Sequence, residues 1–175
     1  MIYEQRIISA LKIIQPNILF ILAHRNGVEP NPPYCLITMM DTVNIGQPFL
    51  TSSTKDGREI EVVSQMKEVN VSFTFHASAT DSIQDTVDIF HLGLGSSFYT
   101  NAFAINGLGI VDYTDIKYLE NPVDSTVMYK DAVIDITFRT ERIEEFYAPH
   151  IKEVETQGHL GESYDDFNSD IVLVN

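Results

Sequence analysis

Between residues 69 and 77 apolar and polar side chains alternate strictly. Val69, Val71, Phe73, Phe75 and Ala77 fall on one side, and Asn70, Ser72, Thr74 and His76 on the other. A period of two predicts a half-buried strand. Directly after it, Ser78 with Asp81, or Asp81 with Gln84, offers a helix N-cap signal, and Ile83, Val87, Phe90, Leu94 and Phe98 recur at steps of three and four. That spacing predicts a helix whose apolar stripe packs on the strand. Burying Phe73, Phe75, Phe90 and Phe98 together is expected to contribute several kcal/mol, at roughly 25 cal/mol per Å² of apolar area.

The remaining elements are laid around this unit. Residues 3 to 15 place Ile7, Ile8, Leu11 and Ile14 on one helical face, with Glu4, Arg6 and Lys12 elsewhere, and Pro16 ends the pattern. Residues 17 to 23 are a short continuous apolar run that periodicity alone does not assign; β-branched and aromatic content tilts it towards strand. Gly27, Pro30, Pro32 and Pro33 mark a loop. Residues 34 to 45 read as a strand whose two faces are too alike to say which is buried. Residues 46 to 57 are polar, with Pro48, Thr51, Ser52, Ser53, Thr54 and Lys55, and end in the turn signal Asp56, Gly57. A long hairpin arm is expected there, returning through one long, bent strand over residues 58 to 77.

Asn106, Gly107 and Gly109 signal a turn, and residues 110 to 119 a further strand. Asn121, Pro122 and Asp124 turn the chain into residues 127 to 140, where Ala132, Ile134, Ile136 and Phe138 alternate with Asp131, Asp135, Thr137 and Arg139. These two segments are expected to form an antiparallel hairpin. From Glu141 onward the chain turns acidic and turn-rich, and it closes on the apolar residues Ile171, Val172, Leu173 and Val174. The sum is an α+β domain: a mainly antiparallel sheet of four or more strands, one or two helices packed on one face, a long hairpin arm and an extended C-terminal tail. Residues 1 to 157 are expected to form that single domain, and residues 158 to 175 an acidic extension.

Charge changes the picture more than length does. Eleven basic against 25 acidic side chains give a net charge of -14 in 175 residues. Tight binding to a phosphate backbone comes from Lys and Arg releasing counterions, so this balance argues against a nucleic-acid-gripping protein. A single cysteine, Cys35, in an apolar run is read as a core residue in a reducing compartment. Neither apolar stretch near the N-terminus is long enough to span a bilayer, so a soluble, unprocessed chain with no membrane partner is expected.

The search for chemistry finds no constellation supporting an enzyme. His24, His76, His91, His150 and His159 show no HxxxH or HExxH spacing. His76 is read as an exposed strand residue, with a ligand or base role as the alternative, and His91 as partly buried or at a subunit contact. Gly93 and Gly95 resemble a fragment of a phosphate-cradling loop, but they fall inside or at the end of a helical pattern, which favours a kinked helix or two helices meeting. Ser96 and Ser97 lack a nucleophile elbow. Asp81, Asp85 and Asp88, at helical steps, read as a solvated acidic face, because a hard-metal site draws ligands from more than one element. No catalytic residue, no metal and no cofactor is expected.

Two stretches point to assembly. The polar arm, with Pro48, Phe49, Leu50 and Lys55, is too long for a tight turn. Ile171, Val172, Leu173 and Val174 form a β-prone segment suited to pair with a neighbour's sheet edge, the alternative being a disordered tail with incidental apolar residues.

The order of elements resembles the tail terminator and neck proteins of tailed bacteriophages, in particular the neck-terminator-like family. The residues that carry the resemblance are Asn26, Gly27, Val28, Glu29 and Pro30, then Pro32, Pro33 and Tyr34, then Val71, Phe73 and Phe75 leading into residues 77 to 81. It covers residues 1 to 155. The resemblance implies a virion protein of the tail or neck, assembled in the host cytoplasm and forming a homohexameric ring. Its implied partners are the tail tube protein, a head connector or head completion protein, and genomic DNA passing without specific binding. An acidic lumen suits such passage, since it repels phosphates over a Debye length of about 8 Å. Three alternatives remain open: another head or tail completion protein, a small metal-dependent α+β enzyme using His76 and the Asp81, Asp85, Asp88 face, and a monomeric binding module.

Overall fold

A computed structural model of the protein describes residues 2–23, 30–77, 82–120 and 129–147. In order, the elements are α1 (Ile2–Ile14), β1 (Leu19–Leu22), β2 (Tyr34–Lys55), β3 (Arg58–His76), α2 (Gln84–Leu94), α3 (Ser97–Ile105), β4 (Gly109–Tyr113), β5 (Lys117–Glu120) and β6 (Tyr129–Tyr147). The six strands make one sheet in the order β1-β2-β3-β6-β4, with β5 also paired to β6. The fold is therefore α+β and dominated by its sheet. The described chain divides into two compact units, one of residues 2–48 and 64–143, the other of residues 49–63 and 144–147.

The sheet is mainly antiparallel. β2 and β3 are joined by Asp56 and Gly57 alone, and a two-residue connection can join only antiparallel strands. Both connecting residues have positive φ, 52° and 74°, which matches a type I′ hairpin turn. Between β3 and β6, Glu68 meets Arg139, Asn70 meets Thr137 and His76 meets Asp131, so one number falls as the other rises. β4 and β5 also run antiparallel to β6. The exception is β1, which lies parallel to β2 with Leu19 opposite Tyr34 and Leu22 opposite Ile37.

The core occupies the first unit. The alternation in β3 buries Val69, Val71, Phe73 and Phe75, and that in β6 buries Ala132, Ile134, Ile136 and Phe138. α1 adds Ile7, Ala10, Leu11 and Ile14, and α2 adds Val87, Phe90 and Leu94. Phe90 is the hub of the aromatic cluster, with ring centroids 5.8 Å from Phe73, 5.1 Å from Phe75 and 5.9 Å from Tyr99. Thr140 is the polar exception among the described buried residues. Its Oγ1 accepts from Arg6 Nη1 at 2.7 Å and donates to the Gly107 carbonyl at 2.8 Å, so α1, β6 and the turn after α3 are tied through one hydroxyl.

The helical pattern over residues 83 to 98 is two helices meeting, and Phe98 is not part of the core. Ser96 takes an extended conformation (φ -86°, ψ 150°) and its side chain accepts from the Tyr99 N–H, capping a new helix. The restart shifts the apolar phase by one residue: Tyr99, Ala102 and Phe103 are buried, and Phe98 is 57% exposed. The single strand expected over residues 110 to 119 is interrupted. Between Ile110 and Asp112 the register against β6 slips, and at Thr114 the backbone N–H bonds to Asp135 O while Oγ1 accepts from Asp135 N–H. Two strands lie end to end along β6 instead of one.

Two segments of polar composition, one in the expected hairpin arm and one read as acidic and turn-rich, are strand. β2 continues through residues 46 to 55 and β6 through residues 141 to 147. The side chains in both stretches are exposed on either face, so no period of two was there to be read. The turn at Asn121 to Asp124, the cap residues Ser78 and Asp81, and the tail over residues 158 to 175 lie outside the described residues.

Cys35 is fully buried, and burial pushes its thiol well above the usual range. The reactive species is the thiolate, so the native protein is expected to resist a disulfide reagent at pH 8 and to react fully in denaturant. Fast labelling of the folded chain would contradict the packing of β2 on the core.

Candidate functional site

The face of β3 and β6 turned away from the core carries the polar half of each alternation. From β3 come Asn70, Ser72, Thr74 and His76, and from β6 come Asp131, Val133, Asp135, Thr137 and Arg139. Several of these side chains bond one another across the strands. Arg139 Nη2 donates to Glu68 Oε1 at 2.6 Å, and Thr137 Oγ1 donates to Asn70 Oδ1 at 2.7 Å. Asn70 Nδ2 in turn donates to Asp41 Oδ1 of β2 at 2.6 Å, so the chain of bonds crosses three strands. Beside it lies an open recess of about 310 Å³, lined by Met40, Asp41, Asn70, Asp112, Tyr113, Thr114, Asp135 and Thr137, among others. Asp135 has Lys117 Nζ at 3.8 Å.

His76 stands at the end of this face. Its Nδ1 is 2.9 Å from Asp131 Oδ1, and its ring stacks on Tyr34 with centroids 4.6 Å apart and planes inclined by 29°. Nε2 is buried with no hydrogen-bond partner among the described residues. Histidine here is therefore a packed, oriented side chain, not the exposed strand residue expected, because the neighbouring β2 brings Tyr34 over it.

An enzyme built on His76 and the acids of α2 does not assemble. Phe73 and Phe75 face Phe90 of α2, and alternate side chains of a strand point to opposite faces, so His76 points away from Asp85 and Asp88. Asp88 accepts from the Tyr118 hydroxyl, and Asp81 lies outside the described residues. Among the described residues no three His, Cys, Asp or Glu side chains come together as a metal group. His91 is partly buried, as expected, with its ring edge-on to Tyr113 at 5.4 Å.

The residues expected to serve assembly are accessible where they are described. Pro48 is exposed in β2, Phe49 and Leu50 are 66% and 58% exposed, and Lys55 ends the strand. Lys55 Nζ bonds the Glu145 carboxylate of β6, and that carboxylate holds the ammonium above its usual range. Pro48 within a strand signals an edge, since it has no N–H to give to a ladder. The sheet order supplies that edge. β1 pairs only with residues 34 to 37, so among the described residues β2 beyond Ile37 has β3 on one side and open backbone on the other. The sequence pointed to a hairpin arm over residues 46 to 57 but held no signal for which side of it is unpaired. The other four expected interface residues, Ile171, Val172, Leu173 and Val174, lie outside the described residues, as do Asn26 to Glu29 of the loop that precedes β2.

No helix among the described residues is long and apolar enough to cross a membrane. Against known proteins, residues 5–163 match the family model described as phage neck terminator protein. No curated protein matches the chain.

Proposed function

The chain belongs to the phage neck terminator family, a structural phage family of the neck and tail joint, and from that premise we propose that it is a ring-forming subunit that caps the tail tube and joins it to the head connector around a DNA channel. The single observation that carries this reading is the family match over residues 5–163. Charge supports the channel: at -14 the chain repels phosphates, which is what a passage for sliding DNA requires. The acids Asp41, Glu68, Asp131 and Asp135 on the outer sheet face are each bonded or ion-paired.

The ring would close through strand addition. A row of unpaired N–H and C=O groups is a template for another strand, and β2 beyond Ile37 offers one. The donor in this proposal is the segment with Ile171, Val172, Leu173 and Val174 of a neighbouring copy, and Phe49 and Leu50 flank the junction. Such a contact is head to tail, and it closes only at the right rotation. In the proposed assembly residues 1 to 157 form the ring body, with the hairpin of β2 and β3 and the extension over residues 158 to 175 as the reaching parts.

Two experiments test this. Electron cryomicroscopy of the particle is expected to place the chain as a ring between tail tube and connector, and density for it elsewhere in the virion would overturn the placement. Deleting residues 171 to 175 is expected to lower the assembly mass seen by light scattering, and an unchanged mass would remove the donor strand.

A further inference from the structure

We draw no further inference here: the strongest candidate, the open recess across β2, β3, β6 and β4 with Asp41, Asp112 and Asp135 in its lining, is a cluster of acids already met by Asn70, the Tyr113 N–H and Lys117, and nothing in the structure shows what ligand or partner fills it.

Discussion

Phe90→Ala is expected to lower the stability of the fold by about 3–5 kcal/mol, the range for truncating a buried aromatic. Phe90 has no exposed surface and lies within aromatic packing distance of Phe73, Phe75 and Tyr99. No small movement closes the hole, because Phe73 and Phe75 are held in β3 while Tyr99 is anchored by its hydroxyl to Gln15 Nε2 at 3.3 Å. For a chain of this size each kcal/mol shifts the melting temperature by roughly 2–4 °C, so a fall on the order of 10 °C is expected. Phe98→Ala is the control. Phe98 was expected from the sequence to share the same core, but it is 57% exposed, and its removal should leave the melting temperature nearly unchanged. A Phe98→Ala variant as damaged as Phe90→Ala would mean that α2 and α3 pack as one continuous helix.

That pair of residues shows where the fold could be read from the sequence and where it could not. Burial leaves a periodic trace, so the alternations in β3 and β6 and the stripe from Ile83 to Leu94 were legible residue by residue. The break at Gly95 and Ser96 was visible as glycine and serine, but Phe98 continues the spacing of Leu94, and the one-residue phase shift depends on the Ser96 cap to Tyr99. Where both faces of a strand are wet, as in β2 after residue 45 and β6 after Thr140, nothing alternates, and polar composition looks like loop. The parallel pairing of β1 is a matter of topology, which local pattern does not encode.

Of the candidate interface, only composition was legible. Phe49, Leu50 and Lys55 stood out as apolar or basic in a polar stretch, and they are exposed. Because the arm is strand, the open edge of β2 is the feature a neighbour could use. The stacking of Tyr34 on His76 joins residues 42 positions apart and had no local signal. The exposure of Ile89, Leu92 and Ile105 was hidden for a related reason: they look like ordinary core residues until the helices are placed and their inward faces are found already filled.

Gly93→Ala is expected to destabilise the protein by about 1–3 kcal/mol, against the direction helix propensity alone would give. In an open helix position alanine is better than glycine by up to about 1 kcal/mol. Here a Cβ on Gly93 would lie 2.4 Å from Cζ of Tyr99 and 2.6 and 2.8 Å from its two Cε atoms, far inside contact distance. The ring has nowhere to go, since it is 6% exposed, lies against Phe90 and is bonded through its hydroxyl to Gln15. The cost therefore belongs to a specific pair, and a double substitution isolates it. Tyr99→Leu alone loses ring packing and the Gln15 bond. Gly93→Ala added to Tyr99→Leu should cost much less than it does in the native background, because the shorter side chain leaves room for the methyl group. Equal costs in both backgrounds, or a Gly93→Ala protein that melts higher than the native one, would show that α2 and α3 do not approach through this glycine.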